Sequence, residues 1–106
     1  MGRFVIAGYK SKPGQEEQLL TVVRKHHSVL RAENLVSDKP AHVMRAGDGT
    51  IVEVFEWASS EAIERAHAST VVRALWAEFD AACDFVPIGR LAEAQNMFSE
   101  FESLTP

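Results

Sequence analysis

The sequence predicts a single small α+β domain, and three observations carry that prediction. Its 106 residues are too few to build two independent cores. Apolar residues recur every second position in some stretches and every third or fourth in others, so strands and helices share the chain. These stretches follow in the order strand, helix, strand, strand, helix, strand. With 46% apolar and 25% charged residues, the composition is that of a chain that folds around one core.

Phe4-Val5-Ile6-Ala7, within Arg3 to Tyr9, reads as a first strand closed by the turn residues of Lys10 to Gly14. After Pro13-Gly14, Gln15-Glu16-Glu17 opens a helix, since acidic side chains favour its positive end. Leu19, Leu20, Val23, His27 and Leu30 supply its apolar stripe, and Asn34 to Pro40 is the connecting loop. His42 to Ala46 and Thr50 to Trp57 alternate around Asp48-Gly49, a strong hairpin signal. A two-residue turn there sets Ala46 opposite Ile51, Met44 opposite Glu53 and His42 opposite Phe55. One hairpin face then holds His42, Met44, Ala46, Ile51, Glu53, Phe55 and Trp57. The other holds Val43, Arg45, Val52, Val54 and Glu56.

Ser59 or Ser60 caps a second helix that runs to about Asp84, with Ser69-Thr70 as a point for a bend. Val72, Leu75, Trp76, Phe79 and Cys83 form its later stripe. Phe85 to Glu93 reads as a fourth strand, with Pro87 at its beginning or on an outer strand. From about residue 94, a tail with Met97, Phe98, Phe101 and Leu104 at helical spacing packs on the domain or on a partner. The order is that of a ferredoxin-like βαββαβ fold, with both helices on one face of a four-stranded antiparallel sheet. The other face is left apolar and bare. A second copy packing there would make a homodimer and bury about 800 Å² on each chain.

Charge and composition exclude several functions. A net charge of −4 without basic blocks gives no footprint for nucleic acid or an anionic membrane. No apolar run nears the roughly 18 residues of a membrane span. Cys83 is the only cysteine, and the chain shows no cleavable leader, so a reducing, cytoplasmic setting is expected. Gly47 and Gly49 belong to a hairpin rather than a phosphate loop, and zinc-ligand spacing is lacking. His26 and His27 are adjacent and cannot face one metal as an i, i+4 pair. No metal and no cofactor is expected.

Three stretches stand out, Lys12-Pro13-Gly14-Gln15-Glu16, Glu56-Trp57-Ala58-Ser59-Ser60-Glu61-Ala62, and His67 with Leu75-Trp76. In these the chain resembles the antibiotic biosynthesis monooxygenase-like family of the dimeric α/β-barrel superfamily. The resemblance spans nearly the whole chain and implies two domains forming a dimeric α/β barrel. It also implies, among the activities of that superfamily, a cofactor-free monooxygenase acting on an aromatic or polyketide-like compound in the barrel lumen. The slots of the haem-degrading relatives hold Ala66 and Trp76 here, and no Asn stands in the first strand, where Gly8 and Tyr9 come nearest. Haem degradation is thereby disfavoured. Trp57 matches the Trp of anthrone-oxidising relatives, and Glu53 then stands in their Asn position.

Glu53 is the candidate base, because it interrupts a strand otherwise built of Ile51, Val52, Val54 and Phe55. His42, on the same face by the hairpin register, and His67 are the candidate proton partners. Tyr9, Met44, Phe55, Trp57 and Trp76 are the candidate substrate-binding residues, suited to a flat aromatic ligand. The alternatives are a structural ion pair of Glu53 with Arg3 or Arg90, tryptophans that only pack the core, and a non-catalytic module that binds an apolar ligand or serves dimerisation.

Overall fold

The computed structural model describes residues 1–104. The predicted domain runs to Pro106, and its last two residues lie outside that range. The elements are β1 (Arg3–Ser11), α1 (Glu16–Ala32), β2 (His42–Arg45), β3 (Ile51–Trp57), α2 (Ser60–Ala68), α3 (Thr70–Ala82), β4 (Cys83–Phe85) and β5 (Glu102–Ser103). Two 3-10 turns, Ile88–Arg90 and Ala92–Gln95, separate β4 from β5. The five strands form one antiparallel sheet in the order β4-β1-β3-β2-β5. This α+β topology is compatible with a ferredoxin-like fold, although the sheet has five strands instead of the expected four. Among the described residues no helix is long and apolar enough to cross a membrane.

Glu16 and Glu17 occupy the first turn of α1. At its other end Asn34 takes a left-handed conformation (φ 59°). Its N–H bonds to the Arg31 carbonyl at 2.9 Å and that of Leu35 to the Leu30 carbonyl at 3.1 Å. This paired closure stops the helix, and Leu35 packs back on Leu30. The buried stripe of α1 is Leu19, Val22, Val23, His26 and Leu30. His26 therefore points into the core where the sequence reading placed His27.

The hairpin register differs from the expected one by a single residue. The Ala46 N–H donates to the Thr50 carbonyl at 2.8 Å and the Gly49 N–H to the Ala46 carbonyl at 3.0 Å, so the loop is Gly47-Asp48-Gly49. Gly49 supplies the positive φ (92°) that this three-residue connection requires. Arg45 now pairs with Ile51, Met44 with Val52, Val43 with Glu53 and His42 with Val54. Because side chains alternate, the shift turns every β2 residue over. Val43 joins the face of Glu53, and His42 and Met44 move to the opposite face.

Ser69 divides the predicted second helix in two. Its backbone is extended, and its hydroxyl accepts from the Val72 N–H at 3.2 Å, so it caps α3. Ser59 caps α2 in the same way through Ala62. The predicted strand Phe85 to Glu93 is mostly absent. β4 ends at Phe85, one further bond joins the Val86 N–H to the Gly8 carbonyl at 2.8 Å, and Pro87 then offers no donor. Beyond Gln95 the tail makes no helix among the described residues. Met97 and Phe98 are exposed, while β5 pairs with β2 through Met44–Ser103 and Arg45–Glu102.

Helices α1 and α3 cover one face of the sheet, packing Leu19, Val22, Val23, Leu75 and Phe79 onto Tyr9 and Ile51. On the other face Ile88, Leu91 and Phe101 cover Ala46, Val52 and Met44. Beyond them, Phe4 is 60% and Ile6 53% exposed.

Candidate functional site

β1 and β3 place Ala7 opposite Glu53, with Tyr9 two residues along the same face. β3 lies between β1 and β2, and Glu53 at its middle is fully buried (0% exposed). Its carboxylate Oε1 accepts from the Tyr9 hydroxyl at 2.8 Å and from His26 Nδ1 at 2.7 Å. An ionised carboxylate only accepts, and the His26 tautomer that matches one carries its proton on Nδ1. His26 Nε2 and Glu53 Oε2 are buried without a hydrogen-bond partner among the described residues.

Aromatic rings hold this cluster in place. Phe79 of α3 lies 4.7 Å from the Tyr9 ring and 4.9 Å from His26, and Phe55 meets His26 at 5.4 Å in a T-shaped contact. Burial, then the charge and hydrogen bond of Glu53, push the Tyr9 hydroxyl well above the ordinary phenol range. Tyr9 thus acts as a neutral donor.

A cavity of about 540 Å³ lies between α1, β2 and the segment before β2, within the usual range for small-molecule sites. Glu53 is part of its wall, together with Leu20, Val23, Val43 and Leu104. His27 also lines it, and its Nε2 is likewise buried and unpartnered among the described residues. Burial lowers the pKa of His27, the positive charge of Arg31 and neighbouring His26 lower it further, and Glu53 opposes them. Two residues of the wall thus each hold a buried polar atom without a partner among the described residues, Glu53 its Oε2 and His27 its Nε2.

Of the residues singled out from sequence, the fold brings Glu53 and Tyr9 together. It does not bring His42, which is exposed and opposite Val54 on the far face. His67 is exposed on α2, where its Nδ1 lies 3.3 Å from the Ile63 carbonyl and its ring 5.1 Å from Trp76. Trp76 packs against both core clusters of the helix-covered face. Phe55 and Trp57 are buried, 5.2 Å apart, and Met44 packs on the far face beside Val52. None of these six lines the cavity. Arg3 bonds to Ser60, and the partners of Glu53 are Tyr9 and His26 in place of an arginine.

Sequence reasoning missed His26 and His27. The signal was present, since positions 19, 23, 26 and 30 share one helical stripe and put His26 among leucines and valines. Among the described residues no three His, Cys, Asp or Glu side chains are arranged to hold a metal ion. Cys83 is buried, which pushes its thiol up to about 11 and keeps it protonated. No family model, curated protein or solved structure matches this chain.

Proposed function

We propose that the chain is a cofactor-independent monooxygenase of the antibiotic biosynthesis monooxygenase-like type, acting on an aromatic or polyketide-like phenol. One observation carries this reading. A buried carboxylate has one oxygen fixed by two donors, and its other oxygen, unpartnered, belongs to a residue in the wall of a mainly apolar cavity. Glu53 takes a proton from the substrate's phenol or activated carbon, and Tyr9 and His26 hold the carboxylate in position without supplying electrons. In an anthrone, the resulting carbanion reduces dioxygen and forms a C–OOH bond. Loss of water from that hydroperoxide leaves a ketone. The substrate CH₂ thus gives up four electrons, one oxygen atom enters the product and the other leaves as water. The cavity lies between helix and sheet of one chain.

The test is oxygen consumption with an anthrone or hydroquinone panel, using Glu53→Gln, which keeps the shape and an acceptor for Tyr9. We expect turnover to fall roughly 10²–10⁴-fold while the circular dichroism spectrum is retained. Wild-type rates in the variant would remove Glu53 from the mechanism, and an inert wild type would remove the oxygenase reading. The burial of Oε2 favours one second reading, a non-catalytic module that encloses an apolar ligand. Tight binding without oxygen uptake would identify it.

In the proposed assembly two copies meet through the exposed Phe4 and Ile6 face, which gives the ferredoxin-like domain a partner sheet. Cys83, buried and unpaired, fits a cytoplasmic setting.

A further inference from the structure

The rim of the Glu53 cavity has a charge pattern opposite to that of the whole chain. The chain carries 11 basic and 15 acidic residues. Arg24 and Arg31 of α1 both line the cavity, against the single rim carboxylate of Asp38. They stand seven residues apart on one helix, about 10 Å along its axis, with His27 between them on the same side. Asp38 engages Arg31 at 3.2 Å, an exposed pair of little strength. Arg24 has no ion-pair partner among the described residues. The charge of Arg31 is also felt inside, where it acts on the His27 ring.

From outside inward the cavity has cationic forks, then apolar side chains, then Glu53, whose second oxygen is buried without a partner among the described residues. We infer that the ligand is an aromatic or polyketide carboxylic acid, its carboxylate held by Arg24 and Arg31 at the rim and a hydroxyl group directed inward to Glu53. This inference rests on the functional reading above and names its substrate class. The fork of a guanidinium matches a carboxylate with two parallel bonds, and Arg31 would exchange Asp38 for the ligand.

Isothermal titration of the whole protein with 6-hydroxy-2-naphthoate and with its carboxamide tests the inference without requiring turnover. We expect the acid to bind at least tenfold more tightly, with the preference shrinking as salt is raised. The double variant R24Q/R31Q should erase the preference and leave carboxamide affinity within about twofold, because both side chains are exposed and outside the core. Asp38→Asn, which frees Arg31, should strengthen acid binding. Equal affinities in the wild type, a preference that survives in R24Q/R31Q, or no binding of either compound would overturn the inference. Glu53→Gln separates the two readings. If it keeps turnover, the base is wrong while the acid preference stands; if it loses turnover and acid and amide bind alike, the base stands and the rim does not.

Discussion

One oxygen of Glu53 serves both Tyr9 and His26, while the other is buried without a partner among the described residues and is the atom that the proposed function assigns to the substrate. His27 beside it makes the site sensitive to pH. Burial disfavours its imidazolium, so the folded chain protonates it below the ordinary value of 6.5 and the unfolded chain at that value. Between the two the unfolded state binds more protons, so stability is full above pH 6.5 and declines as pH falls through the window below it. Denaturant midpoints between pH 7 and 5 should drop in the wild type and drop less in His27→Gln; equal slopes would show that another group is responsible. Asp48, held below the usual carboxylate range by the Thr50 N–H, acts at lower pH. Glu53 itself was legible in the sequence, because a carboxylate inside an apolar strand demands an explanation. Its partners were not. Tyr9 follows from strand pairing, a tertiary fact that spacing leaves open, and although the stripe of α1 puts His26 on the core side, spacing does not say which residue it meets there.

At the level of elements, the signals that held were local and chemical. Asn34 ended α1, Ser59 capped α2, and Ser69 marked the division between α2 and α3. Since Ser69 supplies the only side-chain cap of α3, Ser69→Ala should lower stability by about 1 kcal/mol, measured as a shift in the urea midpoint at constant slope. An unchanged midpoint would mean that the packing of Val72, Leu75 and Phe79 alone sets the start of α3. The signal that failed was the hairpin. Asp48-Gly49 reads as a two-residue turn, yet Gly49 at positive φ closes a three-residue loop that begins at Gly47, and the single extra residue reversed β2. That reversal alone accounts for the separation of His42 and Met44 from Glu53. The fourth strand failed for a related reason, since Pro87 ended it and the 3-10 turns carried Leu91 beneath Val52.

For the whole molecule, the α+β class and the apolar second face were both readable from element order and alternation. How much of that face the chain would cover for itself was not, because Leu91 and Phe101 reach it from segments expected to be strand and helix. What remains open is the area around Phe4 and Ile6, where the proposed partner sits. Ile6→Asp should leave the monomer folded, since Ile6 is 53% exposed, and should weaken association at least tenfold in analytical ultracentrifugation. A wild type that sediments as a monomer at micromolar concentration would rule out the assembly. The shortness of the outermost strands bears on the form such an assembly takes. β5 offers two residues and β4 three, with Pro87 close behind, so these outermost strands are poor templates for another chain, while the outer edge of β1 from Arg3 to Ala7 runs on past β4 with no strand beside it. In the proposed assembly the copies join face to face, an arrangement that closes after two.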